Sequence, residues 1–329
     1  MLTYVLRRIG IMIPVVLGIL LIVFAINRMS GDPVAALLGG DATPEQIEAE
    51  RDRLGLNDPL PVQFFNYVKG IVTRFDLGTS YVSKRPVSEQ IVARLPTTLA
   101  ITMISLLISS LVGITFGVIS ALNQNTKVDY ILTVAALIVA SLPTFWFALM
   151  LVLIVSVKLG WLPATGLDSF KHWILPCVVS GLGPVSNLCR TTRSSMLEVI
   201  RQDYIRTARS KGISENKVIF KHALKNALFP VITVFGIIAS FSVGGQVVVE
   251  SIFSIPGIGA YMMEAILSRD YPVVQGTVLI LSFLICVINL LVDIAYGFAD
   301  PRIRARYTRQ KSEKRKEPTQ PSQPQGVNA

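Results

Sequence analysis

Charge-free apolar runs occur at six places along the chain, and the polar residues between them gather in a few blocks. The runs are Ile9–Asn27, Leu95–Asn125, Tyr130–Val157, Trp173–Cys189, Ala227–Val249 and Val273–Phe298. A hydrocarbon core about 30 Å thick takes roughly 20 apolar residues in helical form, so each run is read as a membrane-spanning helix. The fourth is short and interrupted by Pro176, Gly181, Gly183 and Pro184. The sixth carries one charge, Asp293, with Asn289 one turn earlier on the same helix face. The pattern predicts an all-α polytopic membrane protein of six transmembrane helices.

Between the first two runs the pattern turns amphipathic. Thr43-Pro44-Glu45-Gln46 reads as a capping box with proline at the first helical position, opening a helix that carries Ile47 and Leu54 and closes at Gly55. After Pro59 and Pro61, Val62, Phe65, Val68 and Val72 recur at helical spacing. They predict a second helix with one apolar face on the membrane interface or on the protein's own rim. The aromatic cluster Phe64, Phe65, Tyr67 and Phe75 is read as packing and interfacial anchoring rather than a ligand box. A second informative block is 190–226. There Leu197, Ile200, Tyr204 and Ala208 form one apolar stripe on a helix that Gly212 stops, and Ser214 opens another through Val218–Leu228 into Pro230. The chain therefore divides into an N-terminus with the first helix (1–28), a structured segment (29–94), a membrane core (95–298) containing the 190–226 loop, and a polar tail (299–329). The tail, rich in Lys, Gln, Pro and Ser, is expected to be disordered.

Composition agrees with the membrane reading. Of 329 residues, 51% are hydrophobic and 16% charged, against about 25% charged in a soluble domain, and the mean hydropathy is +0.56. The net charge of +10 is compatible with a nucleic-acid surface or with basic cytoplasmic loops, and its distribution decides. The 190–226 loop holds nine Lys/Arg against three Asp/Glu, the tail eight against three, and 250–272 one against three, while Arg7 and Arg8 precede the first run. Positive charge marks the cytoplasmic side. Both termini and the 190–226 loop are thus expected inside, with 29–94 and 250–272 outside, and no nucleic-acid partner is expected. No small-x-small site follows the first run, so it is expected to stay as an uncleaved span.

No Gly-x4-Gly-Lys-Ser/Thr, His-Glu-x-x-His or Gly-x-Ser-x-Gly occurs, so no catalytic residue and no phosphate-cradling loop is expected. His172 and His222 fall on opposite sides of the membrane in this topology, and Cys177, Cys189 and Cys286 lie in spans without metal-type spacing. No metal site is expected. Asp293 near the cytoplasmic end of the last span, close to Arg302 and Arg304, is read as a structural ion pair rather than a proton carrier, although an intramembrane carboxylate is a functional candidate by default.

Residues 203–212 (Asp-Tyr-Ile-Arg-Thr-Ala-Arg-Ser-Lys-Gly), followed by His222-Ala223-Leu224-Lys225-Asn226-Ala227 and Pro230, resemble the coupling loop of bacterial binding-protein-dependent ABC importer permeases. Further matches are Gly31-Asp32-Pro33, Leu54-Gly55-Leu56, Asp76-Leu77-Gly78, the stretch Arg190–Leu197, the stretch Glu250–Gly259, Arg269-Asp270-Tyr271-Pro272-Val273 and Asp300-Pro301-Arg302. As a set they resemble the first permease subunit of the dipeptide/oligopeptide/nickel branch. In place of the Glu-Ala-Ala of the wider superfamily stands Arg206-Thr207-Ala208, which narrows the resemblance to that branch.

The resemblance implies a type I ABC importer permease fold in the bacterial cytoplasmic membrane. It implies a second, related permease, two ATPase subunits and an extracytoplasmic binding protein as partners. ATP and Mg would be bound by the ATPases, with no cofactor in this chain. Asp203, Tyr204, Arg206, Ala208, Arg209 and Gly212 are the expected ATPase-coupling residues. In the outer loop, Pro256, Gly257 and Gly259 are expected to form a sharp re-entrant turn that, with Glu250 and Phe253, gates the outer mouth. Glu250 or Asp270 would offer a negative end to a peptide's ammonium; a loop made rigid for docking of the binding protein is the alternative. Dipeptides or oligopeptides are the favoured cargo, with nickel chelates or glutathione as alternatives. An intramembrane enzyme lacks its nucleophile–base and metal constellations, and a stand-alone channel or ion-coupled carrier lacks coupling charges at mid-membrane.

Overall fold

A computed structural model describes residues 2–29, 34, 38, 42–53 and 55–299. Expectations for Leu54, Gly31-Asp32-Pro33, Asp300-Pro301-Arg302, Arg304 and the tail lie outside them. Among the described residues the fold is helical, with one isolated bridge between Thr79 and Pro86. The first span is α1 (Leu2–Met29). The segment after it contains α2 (Pro44–Arg53) and α3 (Leu60–Arg74). The capping box is formed: Thr43 N donates to Gln46 Oε1 at 3.0 Å and Gln46 N to Thr43 Oγ1 at 3.3 Å. Gly55 sits at φ +65 just beyond the helix.

α4 (Val87–Leu122) is the spine of the molecule. Its 36 residues extend about 54 Å, which exceeds the hydrocarbon thickness and joins two hydrophobic clusters. At the α3 end, Val87 and Ile91 pack with Leu77, Ile258, Ala265 and Val273. At the other end, Val118 and Ala121 pack with Met196, Ile205 and Ala208. The apolar positions of α3 divide between two faces. Phe64, Tyr67, Val68 and Ile71 pack inward, whereas Val62, Phe65 and Val72 are exposed. Phe64 meets Phe24 of α1 edge-on at 5.5 Å between centroids.

Two predicted spans are not single helices. The third divides into α5 (Lys127–Ser141) and α6 (Thr144–Leu151), the latter prolonged by a π-helical turn Val152–Lys158, and the two arms meet at 100°. Pro143 has no N–H to continue the ladder and drives Leu142 to an extended ψ of 130°, which ends the helix at its predecessor. The fourth run divides into α7 (Phe170–Leu182) and α8 (Val185–Ile200) at Gly183-Pro184. Helix α8 continues well past Arg190, so the first third of the expected 190–226 loop is helix.

Beyond α8 lie α9 (Asp203–Ser210), a short helical turn Glu215–Lys217, a π-helical turn Val218–Leu224 and α10 (Lys225–Ile252). The last described helices are α11 (Ile258–Leu267) and α12 (Tyr271–Ala299). Four described helices are long and apolar enough to cross a membrane, or five when the bent α5–α6 pair is counted as one span. The helices approach closely through small residues, the usual packing device of membrane bundles. A Cβ on Gly113 or Gly117 of α4 would lie 2.6 Å from Leu188 Cβ or 2.5 Å from Thr192 Cβ of α8. Ser109 Oγ donates across helices to Gly181 O at 2.9 Å.

Candidate functional site

At the end of the bundle away from α3, α9 is clamped rather than tethered. The chain leaves α8 through Arg201 (ψ −4°) and an extended Gln202 (ψ 148°), so the stripe read as one helix is divided between two. Leu197 and Ile200 belong to α8, Tyr204 is 45% exposed, and the buried positions of α9 are Ile205 and Ala208. These two sit against Val118 and Ala121 of α4, Met196 of α8 and Val218 and Ala223 of the π-helical turn. The Tyr204 hydroxyl is fixed by Asn226 Nδ2 at 3.1 Å. Arg209 holds Glu215 through Nε at 3.1 Å and Nη2 at 2.6 Å, and the carboxylate in turn raises the guanidinium's affinity for its proton.

Gly212 takes φ +72, a conformation that favours glycine, and its N–H donates to Arg209 O at 2.9 Å. It ends α9 as the sequence predicts. Asp203 stands in the first turn of α9, where a negative charge complements the helix dipole. Asp203, Tyr204, Arg206 and Arg209 all reach the surface. The result is a knob with a rigid apolar base and a polar, aromatic outer face.

Beneath the knob lies an ion pair that sequence reasoning missed. Arg193 of α8 donates through Nε and Nη2 to the two oxygens of Asp129 at 2.8 and 2.7 Å. Asp129 also accepts from Ser120 Oγ and, at 3.0 Å, from Asn125 N. This ties the end of α4, the turn after it, the start of α5 and α8 at one point. The sequence showed both charges but offered no signal linking positions so far apart.

At the opposite end, Glu250 near the close of α10 is fully buried. Its Oε1 accepts from Thr98 Oγ1 at 2.7 Å and its Oε2 from Ala260 N at 3.0 Å, while Ile258 N donates to Thr98 Oγ1 at 2.9 Å. The chain turns sharply here, but by a different device from the one expected. Ser254 supplies the positive φ, +52, whereas Gly257 is extended (φ −106°, ψ 177°). Gly257 and Gly259 are needed for space. A Cβ on Gly257 would fall 2.1 Å from Glu250 Cδ, and one on Gly259 would fall 2.6 Å from Val247 Cα. Phe253 is buried with Ile101, Leu175 and Val249, and Pro256 is exposed. A cleft of about 410 Å³ opens beside this turn, bordered by Arg94, Glu250, Tyr261 and Glu264. Asp270 is also buried. It accepts from Ser80 Oγ, from Tyr81 N at 3.0 Å and from Val82 N at 3.3 Å, fastening the 79–87 loop to the start of α12.

In α12, Asn289 accepts from Ser240 Oγ at 2.8 Å. Asp293 pairs with Arg8 of α1 at 3.0 Å, so its described partner comes from the first helix rather than from the tail. Asp293 is thus bound into a helix–helix contact. His172 serves as the N3 residue of a capping box with Ser169.

Comparison with known proteins agrees with this architecture. The family described as the binding-protein-dependent transport system inner membrane component matches residues 113–305, and its N-terminal companion matches residues 1–102. The dipeptide transport system permease protein DppB of Alkalihalophilus pseudofirmus is 41% identical over 92% of this chain and 100% of its own length. The oligopeptide transport system permease protein AppB of Bacillus subtilis is 42% identical over 92% of this chain and 99% of its own. The glutathione transport system permease protein GsiC of Salmonella choleraesuis is 41% identical over 92% and 99%. In fold, the chain is similar to a solved chain of the MetNI methionine ABC transporter in inward-facing conformation. The TM-score is 0.56 and the identity 18%, over 64% of this chain and 96% of that one. Helices of membrane-spanning length and matches over nearly the whole chain agree: this protein is an integral membrane permease component of an ABC importer and belongs to the binding-protein-dependent transport system inner membrane component family.

Proposed function

We propose that this chain forms half of the translocation pathway of a peptide importer, paired with a second, related permease and driven by two ATPase subunits that bind ATP and Mg. The observation that carries the reading is the α9 knob. A helix of eight residues whose buried face touches α4, α8 and the lead-in to α10 moves those elements when it is pushed. Closing of the ATPases displaces α9 and so drives the spans between inward- and outward-facing states. Tyr204, Arg206 and Arg209 form the contacting face, and Ile205 and Ala208 transmit the load.

The basic charge of the 190–226 segment supports a reading in which α9 and both termini lie on the cytoplasmic side of the cytoplasmic membrane of a bacterium. Glu250 then lies at the outer mouth, where it latches the 254–260 turn that a binding protein reaches first. Peptides are the favoured cargo because relatives matched over 92% of the chain are named for dipeptides and oligopeptides. Glutathione, itself a modified tripeptide, is the second reading, favoured by a relative of nearly equal identity.

The test is uptake of a labelled dipeptide and of labelled glutathione into vesicles holding the complete importer. ATP-dependent uptake that stops when this chain is omitted supports the reading. Uptake that persists without the chain overturns it, and uptake of glutathione alone selects the second cargo.

A further inference from the structure

The lead-in to α10 carries a row of lysines that the chain itself does not neutralise. Lys217, Lys221 and Lys225 recur four residues apart across the Glu215–Lys217 turn, the π-helical turn and the first residue of α10, a spacing that sets them along one side of this path. All three are exposed, and none of their ammonium groups has a hydrogen-bond or ion-pair partner among the described residues. Glu215, the acid in the same stretch, is held by Arg209 at 2.6 Å and does not offset them. The other side of the path is buried, where Val218, Ile219 and Ala223 share one cluster with Ile205 and Ala208 of α9. Between Lys217 and Lys221 stands Phe220, 60% exposed.

We infer that this row binds the headgroups of anionic phospholipids at the membrane surface. The helical path Glu215–Gly244 is long and apolar enough to cross a membrane, and its charge-free part begins at Ala227. Hydrocarbon therefore starts just beyond Lys225, and Lys221 and Lys217 stand one and two turns further out, at the depth of the headgroups. An anionic lipid supplies what the row lacks, a negative charge beside each ammonium, and its acyl chain receives the Phe220 ring. A zwitterionic headgroup brings an ammonium of its own and competes poorly. With exposed Lys211, four lysines precede the entry of this span, the density at which basic segments select anionic leaflets. The lipid grips the outer side of the element whose inner side bears α9, so an anionic leaflet steadies the path from knob to span. The contact follows from the membrane entry of α10; only its assignment to the cytoplasmic leaflet rests on the orientation proposed above.

The test places the photocrosslinker p-benzoylphenylalanine at Phe220 in the complete importer, held in nanodiscs of equal parts phosphatidylglycerol and phosphatidylcholine. Adducts are identified by mass spectrometry after illumination, and uptake of a labelled dipeptide is measured with the same purified importer in vesicles. The inference predicts lipid adducts in which phosphatidylglycerol exceeds phosphatidylcholine about fivefold or more. Lys217→Gln, Lys221→Gln and Lys225→Gln together should bring that ratio close to one, and Lys→Arg at the same positions should keep it. Should the glutamine variant not assemble, raising salt from about 0.05 M to about 0.5 M around the unaltered lysines should lower the ratio several-fold. Equal adducts of the two lipids, a ratio that neither glutamine nor salt changes, or crosslinks to an ATPase subunit alone overturn the lipid site. Dipeptide uptake with equal adducts refutes the lipid site alone; the lipid preference without ATP-dependent uptake refutes the importer reading alone.

Discussion

Asp129 and Arg193, 64 positions apart, meet in a two-pronged ion pair with both N···O distances under 3 Å. The Asp129 side chain is 5% exposed and the Arg193 side chain 28%, so water screens the pair only from the arginine's side. Together with Ser120 and Asn125, it fixes the angle between α4, α5 and α8 directly beneath α9.

Removing one partner of such a pair leaves a desolvated charge, whereas replacing both is far milder. Arg193→Met should therefore lower stability by about 2 kcal/mol, less than in a fully buried pair because the arginine is partly solvated. Adding Asp129→Asn should restore most of the loss. Thermal unfolding of the detergent-solubilised complex checks this, and melting temperatures that fall additively in the double variant would show that the two side chains are not coupled.

Gly212 is the second point of fragility. Proline cannot reach φ +72 and lacks the N–H that binds Arg209 O. Gly212→Pro should displace α9 from its seat and abolish peptide uptake while ATP hydrolysis continues at its basal rate. Tyr204→Asp should do the same by altering the contacting face. Normal uptake in both variants would remove the knob from the coupling path.

Glu250 and Gly257 are packed so tightly that a methyl group between them has no room. Gly257→Ala should force the 254–260 turn open at a cost of about 1–3 kcal/mol, made visible by faster proteolysis within 254–260. Glu250→Gln preserves size and an acceptor for Thr98, so its effect should be smaller. Equal proteolysis rates in wild type and Gly257→Ala would contradict the latch.

Asp293 offers a test of mechanism rather than stability. Its pairing with Arg8 involves side chains 23% and 44% exposed, and solvent-screened pairs of this kind contribute about 0–1 kcal/mol. Asp293→Asn should leave uptake within roughly a factor of two of wild type, with an unchanged pH profile. A loss of uptake at all pH values, or a profile shifted in the variant, would make Asp293 a proton carrier.

Much of this molecule is written locally. Six apolar runs, the Thr43–Gln46 capping box and the stop at Gly212 depend on residues within one or a few helical turns of each other, so the sequence pattern suffices to find them. Pro143 was visible too, but a rule that ends spans only at charges runs straight across it. The same rule ended the fourth span at Arg190, although α8 continues to Ile200. A charge limits the apolar run but does not break the helix, so α8 carries Arg190 and Arg193 onward without interruption.

The division between sequence and structure therefore follows range. Hydropathy over about 20 residues, proline chemistry and glycine's freedom at positive φ are local quantities, and from them the sequence alone determines that this chain is helical, enters the membrane and carries a knob in its 190–226 segment. Only the tertiary structure decides that Ile205 rather than Tyr204 faces inward, that Glu250 answers Thr98, that Asp293 answers Arg8 and that Gly257 serves space rather than turning. Each of those depends on which helices come together, and the strength of a buried polar contact depends on the partner it meets there.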